Sequence, residues 1–211
     1  LLDKLQFDVP KDNIIEAKDD IESATCAVRL VREGRAEVLM KGKLQTADLL
    51  RAVVSKEDGL RTDSLISHLA VYQIPGYHKL IGLTDGGMIP FPDLGQKSQI
   101  LRNALQVFHS LGVRSPKVAV LAATEVENPR FPESVDGAGL KAMNVSGELQ
   151  DCLIEGPISY DLAMSAESAE LKGYTSPVTG DVDILLVPTM SAGNILGDRK
   201  STRLNSSHRI R

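Results

Sequence analysis

Four consecutive apolar residues, Ile184 to Val187, most constrain what this chain can fold into. They are entered through Gly180-Asp181-Val182-Asp183 and left through Pro188. A run this short, bounded by turn residues, reads as a buried strand rather than a helix. A strand apolar on both faces belongs to a parallel sheet covered by helices. Ligands of such sheets bind beyond the carboxyl ends of the strands. The segment leaving this strand carries Thr189, Ser191, Gly193 and Asn194.

The rest of the chain supplies the neighbours such a strand needs. Lys18 to Arg32 has Ile21, Ala24, Val28 and Val31 at helical spacing, with Gly34 as the stop. Ala36 to Met40 reads as a short strand, followed by Lys41-Gly42-Lys43 and a helix capped by Thr46. Leu65–Ile74 and Leu80–Leu83 read as strands joined by a Pro75-Gly76 turn, a hairpin. Two glycines and two prolines between Gly86 and Pro92 make a bent connection, the expected domain boundary. Asp93 to Leu111 is an amphipathic helix with Ile100, Ala104, Val107 and Leu111 in register, closed by Gly112. Strands follow at Lys117–Leu121 and Asp151–Glu155, each leading into a helix. Repeated strand–loop–helix units predict an open, mostly parallel α/β sheet.

The expected division is 1–92, a first α/β domain lacking its start and its return segment; 93–197, a second; and 198–211, a tail of another kind. From Asp198 the chain reads DRKSTRLNSSHRIR, without apolar periodicity. Asp198–His208 matches a translated sequencing adapter, so the tail is expected to be non-native. That tail holds five of the 24 bases and one of the 28 acids, so residues 1–197 carry a net charge of −8 rather than −4. Such an acidic chain has no basic stripe for nucleic acid. No apolar run reaches the roughly 20 residues of a membrane span, and no secretory signal is visible. Cys26 and Cys152 read as reduced core residues of a cytoplasmic protein.

Several residues stand where a site would be. Lys41-Gly42-Lys43 combines two cations with a glycine before a helix N-terminus, a natural anion site, or else two solvated lysines. Arg61 can hold a phosphate in bidentate fashion or be an ordinary loop cation. His68 is either a hydrogen-bonded strand filler or a ligand contact. Asp85 ends a strand before two glycines, where acids face a cleft. Asp161 and Asn194 are each a helix cap or a ligand contact. No metal-ligand spacing, GxGxxG, GxSxG or P-loop is present, so the spacing points to an α/β enzyme for an anionic ligand.

Longer blocks carry more. VLMKGKLQTADLLRAVVSKEDGLRT, ISHLAVYQIPGYHKLIGLTDGGMIPFPDL, EGPISYDLAMS and SPVTGDVDILLVPTMSAGNILG occur in order. With LGVRSPKVAVLAATEVENPRFPESVDGAGLKAMN they resemble the phosphate acetyl/butyryltransferases from about Val28 to Gly197, nearest the butyryl branch. Thr179, Val182, Glu155 and Ser146 depart from the pattern. The resemblance implies a two-domain α/β/α fold like that of isocitrate and isopropylmalate dehydrogenases. It implies reversible transfer of a short acyl group between coenzyme A and phosphate in a cytoplasmic homo-oligomer of fermentative metabolism. Coenzyme A is then a substrate, with no metal and no resident cofactor. By motif position it implies substrate contacts at Lys41, Gly42, Arg51, Arg61, Ser67, His68, Asp85, Asn144, Asp161 and Asn194. The family's general base and Ser-Arg pair lie beyond the AGN turn, so no catalytic residue is assigned and the chain is expected to be inactive. The rival expectations are a non-catalytic acyl-CoA-binding domain and a decarboxylating dehydrogenase of the same fold, which would need a metal-binding Asp cluster.

Overall fold

The computed structural model describes residues 9–205. The chain divides into two compact units, Leu1–Ser64 and Leu65–Arg211.

The first unit is helical. After a short 3-10 turn at Lys11–Asn13, helix α1 spans Asp20–Arg32. Asp19 caps it by accepting from the Glu22 N–H at 2.8 Å. Ala24 and Val28, one turn apart, are its buried positions, and it packs on α2, Thr46–Val53. The α2 cap position is Gln45, with Thr46 as the first helical residue. The strand expected at Ala36–Met40 is not formed. Val38 and Met40 are 81% and 90% exposed, and no described strand precedes Leu69. A short stretch with four apolar residues among five makes a strand only where a neighbour accepts its backbone hydrogen bonds.

The second unit holds one five-stranded sheet. Its strands are β1 (Leu69–Gln73), β2 (Leu80–Thr84), β3 (Lys117–Leu121), β4 (Leu153–Ile158) and β5 (Ile184–Leu186). Their order is β1-β2-β5-β3-β4. β2, β5, β3 and β4 run parallel, and β1 lies antiparallel on the edge of β2, with Leu69 opposite Thr84. The hairpin and the parallel sheet therefore form as expected. The sheet joins strands from both sides of residue 92, however, so the compact units divide at Ser64 and not at the proline-rich bend. That bend is the ordinary connection from β2 to the helix that covers it.

Helix α3, Leu94–Ser110, begins at a capping box. Asp93 accepts from the Gln96 N–H, and the Gln96 side chain accepts from the Asp93 N–H. It ends before Gly112, whose φ of +89° only glycine adopts freely. Its buried stripe is Ile100, Leu101, Ala104, Leu105 and Phe108. Val107 and Leu111, expected inside, are 41% and 56% exposed. The apolar positions of α3 outnumber one helix face, and contact with the sheet selects which set is buried. Helix α4, Pro132–Val145, adds Leu140 on the same side.

Both faces of the sheet are buried, and strand alternation sorts the side chains. Val118, Val120, Ile184 and Leu186 meet α3 and α4. Ala119, Leu121 and Leu185 meet the other face with Leu162, Ala163 and Ala169. Those last come from α5 (Tyr160–Met164) and α6 (Ala166–Leu171), which break at Ser165, the cap of the second. Helix α7, Met190–Asn205, leaves β5 and lays Ala192 and Leu196 on that second face. Residues 198–205 of the expected foreign tail continue α7, and 206–211 lie outside the described residues.

The rim of the sheet as a candidate substrate site

After β2 and β3 the chain crosses to one face of the sheet, and after β5 it crosses to the other. β5 lies between β2 and β3, so neighbouring strands send their connections to opposite sides. Such a reversal opens a crevice at the carboxyl ends of the strands. Here the reversal falls between Asp85-Gly86-Gly87 after β2 and the start of α7 after β5.

The two segments meet with almost no space between them. A methyl group on Gly193 would lie 2.7 Å from Gly86 Cα, 2.9 Å from Val187 Cγ2 and 3.1 Å from the Asp85 carbonyl oxygen. Asp85 is 2% exposed. Its Oδ1 accepts from the N–H groups of Gly87 at 2.8 Å and Met88 at 2.9 Å. Its Oδ2 is buried with no partner among the described residues. The peptide bond entering Asp85 is cis.

His68 precedes β1 and reaches the same rim from the antiparallel edge. Its ring packs on Gly87, where an added methyl would lie 3.1 Å from the imidazole Cγ. Its carbonyl accepts from Thr84 Oγ1 at 2.8 Å. Ser67, half-buried beside it, accepts from Asn103 Nδ2 at 2.9 Å. Asn194 is exposed in the first turns of α7, next to Gly193 against Gly86. Thr189 covers that helix start, its Oγ1 accepting from the Ala192 N–H at 3.3 Å.

Four of the expected contacts, Ser67, His68, Asp85 and Asn194, thus gather at one rim. Asp161 lies on that rim beyond β4, three strand positions from β2, which is about 14 Å at the usual spacing. Its carboxylate pairs with Lys172 at 2.7 Å. Lys172, with Ser159 beside it, holds the Asp161 carboxyl below the usual range. Asn144 departs from the expectation. It sits in the last turn of α4, the end away from the rim. There its Nδ2 donates to the carbonyls of Leu149 and Cys152, and its Oδ1 accepts from the Ile154 N–H. The amide of Asn144 secures the approach to β4. Ser146, one of the departures from the family pattern, caps the same far end and donates to the Met143 carbonyl.

In the first unit, Lys41 Nζ donates to the Leu44 carbonyl at 3.2 Å and Gly42 has open space where a methyl would stand. Arg51 pairs with Asp48 at 2.8 Å, one turn back on α2. Arg61 is exposed, with no ion pair among the described residues. Sequence reasoning missed Asn103 and the pair Lys97–Asp136. Lys97, 4% exposed in the first turn of α3, meets Asp136 of α4 at 2.5 Å and ties together two helices that start at the rim. A lysine inside an otherwise apolar helix stripe was its only sequence signal. Among the described residues no group of His, Cys, Asp or Glu could hold a metal ion.

An α/β sheet with polar groups at the carboxyl ends of its strands defines a broad class of binding proteins and enzymes, and comparison narrows it. Residues 13–200 match the family described as "Phosphate acetyl/butaryl transferase", and the chain belongs to it. It is 44% identical over 183 residues to a probable phosphate butyryltransferase of Bacillus subtilis, covering 87% of this chain and 61% of that protein. It is 39% identical over 193 residues to the phosphate butyryltransferase of Clostridium acetobutylicum, covering 92% and 64%. The chain thus spans a little over three-fifths of the length of these relatives. The branched-chain phosphotransacylase of Enterococcus faecalis superposes with a TM-score of 0.81 at 36% identity, covering 89% of this chain and 67% of that one.

Proposed function

We propose that this chain forms the substrate-binding part of an acyltransferase that moves a short acyl group between coenzyme A and inorganic phosphate. The reaction is acyl-CoA + phosphate = acyl phosphate + CoA. The family match across residues 13–200 carries this reading. The rim supports it: hydroxyl, imidazole and amide groups of Ser67, His68 and Asn194 stand together at the strand ends.

The chemistry asks little covalent work of the protein. In the direction that consumes acyl phosphate, the thiol of coenzyme A attacks the acyl carbonyl carbon. A carbon–sulfur bond forms, the carbonyl pair moves onto oxygen, and its return expels phosphate. A free thiol has a pKa of about 8.5, so a nearby base or cation must favour the thiolate. Negative charge then gathers on the carbonyl oxygen and the leaving phosphate, where aimed donors lower the barrier. In this proposal Ser67, His68 and Asn194 are substrate contacts of the second unit. Lys41, Gly42, Arg51 and Arg61 are, by motif position, proposed anion contacts within the first unit. Asp85 shapes the Gly86-Gly87 turn through Oδ1. The fold of the whole protein is taken as isocitrate dehydrogenase-like, and the protein as a cytoplasmic homo-oligomer. No described helix is long and apolar enough to cross a membrane.

The test is titration of the purified chain with coenzyme A and with butyryl-CoA by calorimetry, beside phosphate-dependent release of free thiol from butyryl-CoA. Binding of coenzyme A that is weakened by Arg61→Ala supports the reading. A chain that binds neither ligand and releases no thiol refutes it.

A further inference from the structure

Asn103 lies on α3, outside every motif that pointed to the rim, and its side chain reaches back to the segment before β1. Its Nδ2 is 2.8 Å from the Leu65 carbonyl oxygen and 2.9 Å from Ser67 Oγ. A carbonyl oxygen can only accept, so the amide end facing Leu65 must be the NH2. That sets which way the Asn103 amide points, because amide orientation is assigned from the hydrogen-bond network. The same nitrogen has a second hydrogen, and Ser67 Oγ lies within its reach. Ser67 therefore accepts from Asn103, and its own proton must point elsewhere. Among the described residues the Ser67 hydroxyl has no acceptor of its own. The Thr84 hydroxyl, 0% exposed, donates to the His68 carbonyl at 2.8 Å, so the segment is held from two sides.

We propose that Asn103 is a positioning residue that fixes the Ser67 hydroxyl as a hydrogen-bond donor toward a phosphoryl oxygen of the substrate at the rim. This rests on the acyltransferase reading above and names a part of its anion contact. Left alone, a serine hydroxyl rotates and offers either a proton or a lone pair. A rotor held by an amide donor offers the proton, the polarity an anionic oxygen needs. The arrangement also makes binding cost less ordering, because the donor is already oriented. The phosphoryl oxygen can belong to inorganic phosphate or to coenzyme A, and separate titrations tell the two apart.

The experiment is calorimetric titration of the chain with inorganic phosphate and, separately, with coenzyme A. The variants are Ser67→Ala, Asn103→Ala and the double substitution, with Ser67→Thr and Ser67→Val as a matched pair. A hydrogen bond to a charged group corresponds to a change in affinity of about tenfold or more. Ser67→Ala is expected to weaken one of the two ligands about tenfold. Asn103→Ala is expected to weaken the same ligand about fivefold when Ser67 is present and not at all in the Ser67→Ala background. Ser67→Thr should retain binding that the equally sized Ser67→Val loses, a comparison that leaves Asn103 and the fold untouched. Equal weakening by Asn103→Ala in both backgrounds would show a merely structural role and overturn the proposal. Equal affinities for Thr and Val at position 67 would overturn it too. If the unsubstituted chain binds neither ligand, the acyltransferase reading itself fails and this inference falls with it.

Discussion

Replacing Gly193 with alanine tests the closest contact in the rim. In a helix interior alanine is favoured over glycine by about 1 kcal/mol, so propensity alone predicts a more stable protein. The structure predicts the opposite. The added methyl would stand 2.7 Å from Gly86 Cα and 3.1 Å from the Asp85 carbonyl oxygen. Both are backbone atoms of a segment fixed at its other end by β2, and Val187 Cγ2 at 2.9 Å closes the third side. Such overpacking costs about 1–3 kcal/mol. Moving α7 away to make room would expose Leu83 and Val187, which are 2% exposed. Set against about 1 kcal/mol of helix propensity, the expected net loss is up to about 2 kcal/mol, read as a fall in urea midpoint at unchanged slope. Gly95→Ala, in the first turn of α3, is the control. Its methyl would meet only Asp93 Oδ1 at 3.4 Å, so that variant should be unchanged or slightly more stable. A Gly193→Ala protein as stable as the Gly95→Ala protein would refute the reasoning. The rim would then be more open than its glycines imply.

Three further outcomes follow from the same contacts. At the other end of the strands, Asp181 is held by Lys117 at 2.6 Å, Lys79 at 2.8 Å and His78 at 2.7 Å, and Lys117 foremost keeps its carboxyl well below the usual carboxylate range. The stability this adds is present above the unfolded carboxyl pKa of about 3.9 and is lost as pH falls below it. The Asp181 side chain is 39% exposed, so screening holds the loss in Asp181→Asn to about 1 kcal/mol at pH 7, with the pH dependence below 4 flattened. Burial, with Asp151 adding to it, pushes the Cys152 thiol up to about 11. At pH 8 a thiol reagent should therefore modify Cys26 first and reach Cys152 only on unfolding, as mass spectrometry of the labelled chain would show. Asn144→Ala should cost about 2–3 kcal/mol in urea denaturation by orphaning the Leu149 and Cys152 carbonyls and the Ile154 N–H, while leaving coenzyme A affinity unchanged.

Local chemistry alone determined much of this protein. The apolar run Ile184–Leu186 had to be buried on both faces, which demanded parallel neighbours and covering helices. The Pro75-Gly76 turn fixed the hairpin, and Asp93 with Gln96 fixed where α3 starts. Ordered motif blocks pointed to the family that comparison then showed. Asp85 and Asn194 were legible as rim residues because each follows a strand predicted from its own composition. What the sequence left open were matters of pairing. Ala36–Met40 has strand composition but no partner, so it stays without a ladder. Val107 and Leu111 lie on an apolar arc that the sheet does not reach. Asn144 sits in a family motif, yet its amide turns to the backbone that leads into β4. Above all, β5 enters between β2 and β3, and no residue in any of these strands records that order. Strand order depends on which faces the intervening helices cover. That insertion brings Gly193 against Gly86, and the packing of α3 brings Asn103 within reach of Ser67, contacts between segments far apart in the chain. Tertiary packing decided those contacts, because a residue's own backbone preferences carry no information about what will stand opposite it.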